Sequence, residues 1–354
     1  MSDFIVIGGG IAGVSAAARL SAHGTVTVLE AEEALGYHAS GRSAALYEPN
    51  YGLASIVALS RASAAEQLPY LSPRGFMLVA RAGEDAGFEA DAATLECPEI
   101  SLEEARAMVP ILNDQITRAA YHVDAFDIDT DRMIQDYARQ VRTNGGQVLT
   151  KSPVTQIDFS DGRWTVTASG QTHSAPTLVN AAGAWADQVA TLAGITPVGI
   201  TPLRRSMARI PAPGGHDISG WPIFFGVGET WYAKPDAGSL LVSPAEEDAT
   251  TAHDAWPDDM VLAEGLDRYS QHVTTEVTRL EASWAGLRSF APDRLLVLGR
   301  DPVNPAFVWC AGQGGYGFQT APAASQLLAD LLSGQTPVIA PETVATLSPV
   351  RFQH

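Results

Sequence analysis

At 354 residues the chain is long enough to bury a large core in one or two domains. Its net charge of −18 argues against nucleic acid or an anionic membrane as partner, and no apolar run is long enough for an integral membrane segment. Two cysteines make no disulfide framework and fit a reducing cytoplasm, and eight scattered histidines without ligand spacing predict no metal site.

The chain opens directly on a strand, Phe4 to Ile7, so no secretory leader is expected. A glycine turn follows, then a helix from Ile11 to about His23, then a second apolar strand, Thr25 to Leu29, that ends on Glu30. This is a dinucleotide-binding fingerprint in its proper setting. Gly8 makes the tight turn, Gly10 lets a pyrophosphate approach the backbone, and Gly13 lets helix and strand pack closely. The helix N-terminus offers free N–H groups to phosphate, and Glu30 can accept from both ribose hydroxyls.

The fingerprint alone does not separate NAD from FAD. The segment Gly36 to Ala45 does, because it is rich in small residues and backbone donors where an NAD-binding fold continues into its next crossover. Such a loop suits a flavin diphosphate, with Ser40, Ser43 and Arg42 as candidate phosphate partners.

Further along, helices are predicted for Ser55 to Leu68, Ser101 to Val109 and Asp131 to Asn144, the last stopped by Gly145 and Gly146. Gly75 to Ala80, Ala119 to Val123 and Val148 to Thr150 read as strands, and the alternating stretches near Val154 to Phe159 and Arg163 to Ala168 as a meander. Thr177 to Ala182 is a buried strand returning the chain to the nucleotide sheet. Pro202 to Trp284 is β-rich, with a turn at Pro235 to Gly238 and a helix near Met260 to Tyr269. Phe307 to Ala311 is a last strand, followed by a glycine loop and a helix from about Thr320 to Leu332. No internal repeat occurs. Cofactor segments therefore come from the start, middle and end of the chain. The reading is an α/β (α+β) two-domain fold. A Rossmann-like FAD-binding domain (1–46, 129–200 and 285–354) is interleaved with an antiparallel-sheet substrate domain (47–128 and 201–284).

Five motifs recur in order: Gly41-Arg42-Ser43-Ala44-Ala45, Asn180 to Trp185, Lys234 to Gly238, Trp284 to Phe290 and Gln313 to Gly317. Together they resemble the D-amino-acid oxidase-like flavoprotein superfamily, of the glutathione-reductase-2 type. Within it the chain looks most similar to the bacterial FAD-dependent D-arginine dehydrogenases. The resemblance implies oxidative deamination of a D-amino acid by hydride transfer from Cα to flavin N5. The imino acid then hydrolyses to a 2-oxo acid and ammonia, and O2 or a quinone takes the electrons. It implies FAD held without a covalent bond, since the segment Gly286 to Asp293 has no cysteine to tether it. By the same likeness, Ala12, Ala31, Gly41, Ala44, Ala45, Val154, Ala182, Gly183, Trp185, Gly314, Gly315, Tyr316, Gly317, Phe318 and Gln319 join the fingerprint residues at the cofactor. Arg205 and Arg288 are the expected carboxylate partners, Tyr51 and Tyr232 the tyrosines that close over substrate, and the Gly315 backbone an acceptor for the amine. The helix after the glycine loop would aim its N-terminus at the flavin pyrimidine.

Two departures bear on specificity. Where the arginine dehydrogenases carry a glutamate suited to a guanidinium, Phe76 stands here, and Leu46 stands in place of a histidine. Both make the side-chain pocket less polar and favour a neutral, apolar or aromatic substrate over arginine or lysine. Oxidation of N-alkyl amino acids or of 2-hydroxy acids is the competing chemistry, and a non-enzymatic flavin module the competing class.

Overall fold

A computed structural model describes residues 2–352. The fingerprint strand Phe4–Ile7 lies near the centre of a six-stranded sheet, between Val26–Leu29 and Thr177–Asn180. Gln147–Leu149 extends one side and Phe307–Ala311 the other, all parallel, and Val297–Arg300 closes the edge antiparallel. Strands buried on both faces read as unbroken apolar runs, which is why this sheet is visible in sequence. Helices Ile11–Leu20, Thr130–Thr143 and Gly317–Ser333 pack on one face, and the meander Val154–Ser160, Arg163–Ala168 and Gln171–Ala175 covers the other.

The second layer is a nine-stranded sheet. Its long strand Thr201–Pro211 pairs antiparallel with Ser239–Ser243 on one side and with Ala282–Phe290 over nine residues on the other. The chain of neighbours then runs through Tyr232–Asp236, Ile223–Gly226, Phe76–Arg81 and Ile116–His122. The expectation of an antiparallel sheet needs one correction: Ile223–Gly226 and Phe76–Arg81 are parallel. The expected division between 284 and 285 also falls inside the continuous strand Ala282–Phe290, which hydrogen-bonds to the substrate sheet from end to end.

The helix after the glycine loop starts at Gly317 rather than near Thr320, so Pro322 lies within it. Proline has no N–H for the carbonyl four residues earlier, which leaves the Phe318 oxygen without its helical donor. Gln67 Nε2, on the buried face of Ala54–Gln67, donates to that oxygen at 2.7 Å, and Ser63 Oγ accepts the Ala323 N–H at 3.1 Å. Two polar side chains of one helix thus repair the break in the other. The helix Asp85–Thr94 was not anticipated, because only Phe88 on it is buried and no apolar stripe marks it.

Candidate active site

Two connected clefts run between the layers. One, of about 400 Å³, is lined by Gly8, Glu30, Ala31, Val154, Ala182, Gly183 and Trp185 among others. The second, of about 590 Å³, is lined by Ala44, Ala45, Gly314 to Gln319, and the side chains of Tyr51, Arg205, Tyr232 and Arg288. Gly10, Ser40 and Arg42 line both, so the sequence-predicted cofactor residues form one extended trough.

The trough fits a dinucleotide. Gly10 caps the first helix without any side-chain hydrogen bond, and the Ile11 N–H meets only Ser40 Oγ, at 3.0 Å. The first-turn N–H groups therefore face the cleft, as phosphate binding requires. The turn is backed by glycine of necessity: a Cβ on Gly13 would lie 1.9 Å from the Gly8 carbonyl oxygen, and Gly8 itself has φ +111°. Gly13 and Gly41 line neither cleft. Gly13 sits under the turn, and the Gly41 N–H closes a tight loop onto the Gly36 carbonyl at 2.6 Å. Glu30, buried at the end of its strand, accepts from the N–H groups of Gly9 (2.6 Å) and Glu32 (2.8 Å), which fixes the carboxylate at the adenosine end. At the other end, Gly317–Ser333 begins without a side-chain cap and points its free N–H groups into the larger cleft.

Arg42 departs from its expected phosphate role. Its guanidinium donates to the carbonyls of Tyr37, Ala255 and Ala285 and to the Asp254 carboxylate, which uses four of its five N–H groups. It ties the cofactor loop to the substrate sheet instead. Lys234, buried in its strand, does the same from below. Its ammonium donates to the Ala44 carbonyl at 2.6 Å and pairs with Asp127 at 2.8 Å.

Over the flavin end, the structure brings Tyr51, Arg205, Tyr232, Arg288 and Gly315 together. The Arg288 guanidinium lies against the Gly315 backbone, where a Cβ would come within 3.0 Å of Cζ. Burial opposes the charge of Arg288, but Tyr51, Glu229 and Tyr232 outweigh it and hold the group protonated. Arg205 is buried, donating to the Glu246 carbonyl (2.9 Å) and to Glu229 Oε1 (3.0 Å), with Glu247 at 3.4 Å. Arg204, facing the other way, pairs with Asp248.

Glu229 is a site residue that sequence reasoning missed. It stands on the turn Val227–Glu229 with φ +52°, and the adjoining Gly228 N–H is anchored by Asp91 at 2.7 Å. Its second oxygen accepts from the Tyr51 hydroxyl at 2.9 Å. Although burial disfavours its charge, Arg288 and Arg205 hold its pKa below the usual carboxylate range. Burial, and secondarily Glu229, pushes the Tyr51 hydroxyl pKa up, so it remains a donor. Phe76 and Leu46 line the same cleft. The Phe76 ring packs edge-on against Phe225 with centroids 4.0 Å apart and stacks on the His122 imidazole at 5.3 Å.

A trough for an extended dinucleotide that opens onto a buried arginine under an aromatic wall defines a flavin-dependent oxidoreductase. Residues 3–331 match the family model DAO, FAD dependent oxidoreductase, and the chain belongs to that family. A glycine oxidase of Bacillus licheniformis is 24% identical over 94% of this chain and 93% of its own length. Among solved structures, a glycine oxidase from Geobacillus kaustophilus superposes with a TM-score of 0.83 at 21% identity, covering 99% of this chain and 98% of that one. An L-proline dehydrogenase from P. horikoshii does so with 0.84 at 21%, covering 99% and 97%. Among the described residues no helix is long and apolar enough to cross a membrane, and no group of side chains could hold a metal ion.

Proposed function

We propose that the protein oxidatively deaminates an α-amino acid, with preference for D-amino acids bearing a neutral, apolar or aromatic side chain. The observation that carries this reading is Arg288, seated against Gly315 where the glycine loop meets the helix aimed into the flavin end. In this reading a planar guanidinium there takes the substrate carboxylate bidentately, and the Tyr232 hydroxyl and, once released from Glu229, the Tyr51 hydroxyl donate to it. The Gly315 carbonyl is the proposed acceptor for the amine, which orients its lone pair toward Cα. When bound, FAD supplies the acceptor for the hydride leaving Cα. The chain's own task is to orient the amino acid and exclude water, and no side-chain base is required if the amine arrives neutral. The imino acid hydrolyses in water to a 2-oxo acid and ammonia.

The apolar preference rests on Phe76, Leu46, Phe225 and Ile223, which together form the side-chain wall. The D preference rests on the resemblance to the D-arginine dehydrogenases. FAD is held without a covalent bond in this reading. Burial pushes the Cys310 and Cys97 thiols up to about 12, so neither is a thiolate ready to attach to a ring. The electrons leave to O2 or a quinone. A second reading is oxidation of a secondary amine, favoured by the likeness to a structure named for L-proline, whose nitrogen is secondary.

Stoichiometric release of ammonia and 2-oxo acid from D-leucine or D-phenylalanine, with an artificial electron acceptor, tests the proposal. Formation of an aldehyde and a primary amine from N-alkyl amino acids, with no ammonia from primary ones, would favour the second reading.

A further inference from the structure

The mechanism proposed above leaves one buried acid unused. Glu48 is only 2% exposed, yet it lines the substrate cleft on the same wall as Phe76. One carboxylate oxygen accepts the Asn50 N–H at 2.9 Å. The other lies 2.9 Å from His122 Nε2 as an ion-pair contact, and neither atom has a hydrogen-bond partner within the protein. His122 is the cross-strand partner of Phe76, and its ring stacks on the Phe76 ring with the planes 16° apart. The pocket therefore has aromatic sides and an under-satisfied carboxylate beside them. Among the described residues no ion pair other than that with His122 reaches Glu48. Arg61, on the helix Ala54–Gln67, is engaged by Asn50 Oδ1 and Glu96. Of the arginines lining the cleft, Arg205 and Arg288 stand with Glu229 at the proposed carboxylate-binding end, Arg294 pairs with Glu247 and Arg42 with Asp254.

A buried carboxylate with an unfilled acceptor is costly in an apolar wall unless something supplies the missing donor. We propose that Glu48 reads the far end of the substrate side chain, selecting an amino acid whose apolar or aromatic body carries an N–H or O–H donor at its tip. The inference rests on the amino-acid reading of the site and sharpens it. Phe76 and Phe225 take the body of the side chain, and Glu48 accepts from its tip while His122 holds the carboxylate in place.

Isosteric substrate pairs test it with the FAD-loaded enzyme. D-tryptophan is compared with D-3-benzothienylalanine, in which sulfur replaces the indole N–H, and D-tyrosine with D-4-fluorophenylalanine. The wild type should prefer the donor-bearing member by at least about tenfold in kcat/KM, the size of one hydrogen bond to a charged group. Glu48→Gln should shrink that ratio, and Glu48→Leu should bring it close to one. Equal rates within both pairs for the wild type would overturn the inference while leaving the amino-acid reading intact. So would an unchanged ratio in Glu48→Gln, whether or not both substrates slow together as they would for a merely structural pair. If Glu48→Leu does not fold, the wild-type ratios and Glu48→Gln decide alone. Failure of every amino acid to reduce the flavin overturns the parent reading and this one with it.

Discussion

Tyr51 donates its hydroxyl to Glu229 at 2.9 Å, and through its other oxygen the same carboxylate accepts from Arg205 at 3.0 Å. An internal carboxylate thus occupies two of the donors proposed for the substrate carboxylate. Arg288 acts on that carboxylate through its charge, lies 3.9 Å from Glu247 instead, and is the less buried of the two arginines. Substrate must draw the Tyr51 hydroxyl from Glu229, with two negative groups then sharing the arginines.

Replacing Glu229 by Gln keeps the shape and removes that competing charge. The expected result is a several-fold lower KM for neutral D-amino acids with a smaller change in kcat, because binding and not the chemical step is relieved. Steady-state kinetics on the FAD-loaded variant check this. A KM that rises would mean Glu229 supports substrate binding.

Gln67→Leu should destabilise the protein by about 1–3 kcal/mol, since the Phe318 carbonyl loses the donor that replaces the missing Pro322 N–H. The damage lies at the first turn of the helix facing the flavin, so FAD affinity should fall as well. Urea unfolding and FAD titration of the apoprotein measure both. Unchanged values would show that water serves Phe318 equally well.

The first layer was legible because its signals are local. Phe4 to Gly13 and Glu30 lie within one β-α-β unit, and the spacing carries the geometry. Phe76 was legible as a pocket residue only through the family resemblance, and it does line the cleft. Glu229 was not legible. It reaches the site from a strained turn, and its partners Tyr51 and Arg205 are 178 and 24 residues away. Glu48 reads as a polar loop residue until His122, at the end of a strand of the nine-stranded sheet, arrives beside it. The strand Ala282–Phe290 was seen as a motif but not as a strand, because its glycine and its mixed burial hide the period.

His272 supplies a pH signature independent of the site. Burial lowers its pKa in the folded protein, while Nδ1 donates to the Arg268 carbonyl and the ring packs on Trp231 with centroids 4.8 Å apart. A depressed folded pKa means the unfolded chain binds the proton more tightly. The neutral ring's contribution is therefore complete above the unfolded pKa of about 6.5 and is lost as pH falls below it. Tm should drop between pH 7.5 and pH 5.5 more steeply in the wild type than in His272→Phe. Parallel slopes would show that other groups control acid stability.

An amino acid bound through Arg288 is proposed to pass its Cα hydrogen to FAD. Anaerobic mixing of the purified protein with single amino acids, followed at the oxidised flavin's visible absorption band, tests it most directly. Rapid bleaching is expected with D-phenylalanine and D-leucine, and much slower bleaching with their L-enantiomers and with D-arginine. In a flavin-loaded Arg288→Met variant, bleaching at low substrate should be weaker by about 3–5 kcal/mol of lost binding. Bleaching that is equally fast in Arg288→Met, or confined to 2-hydroxy acids, would contradict it.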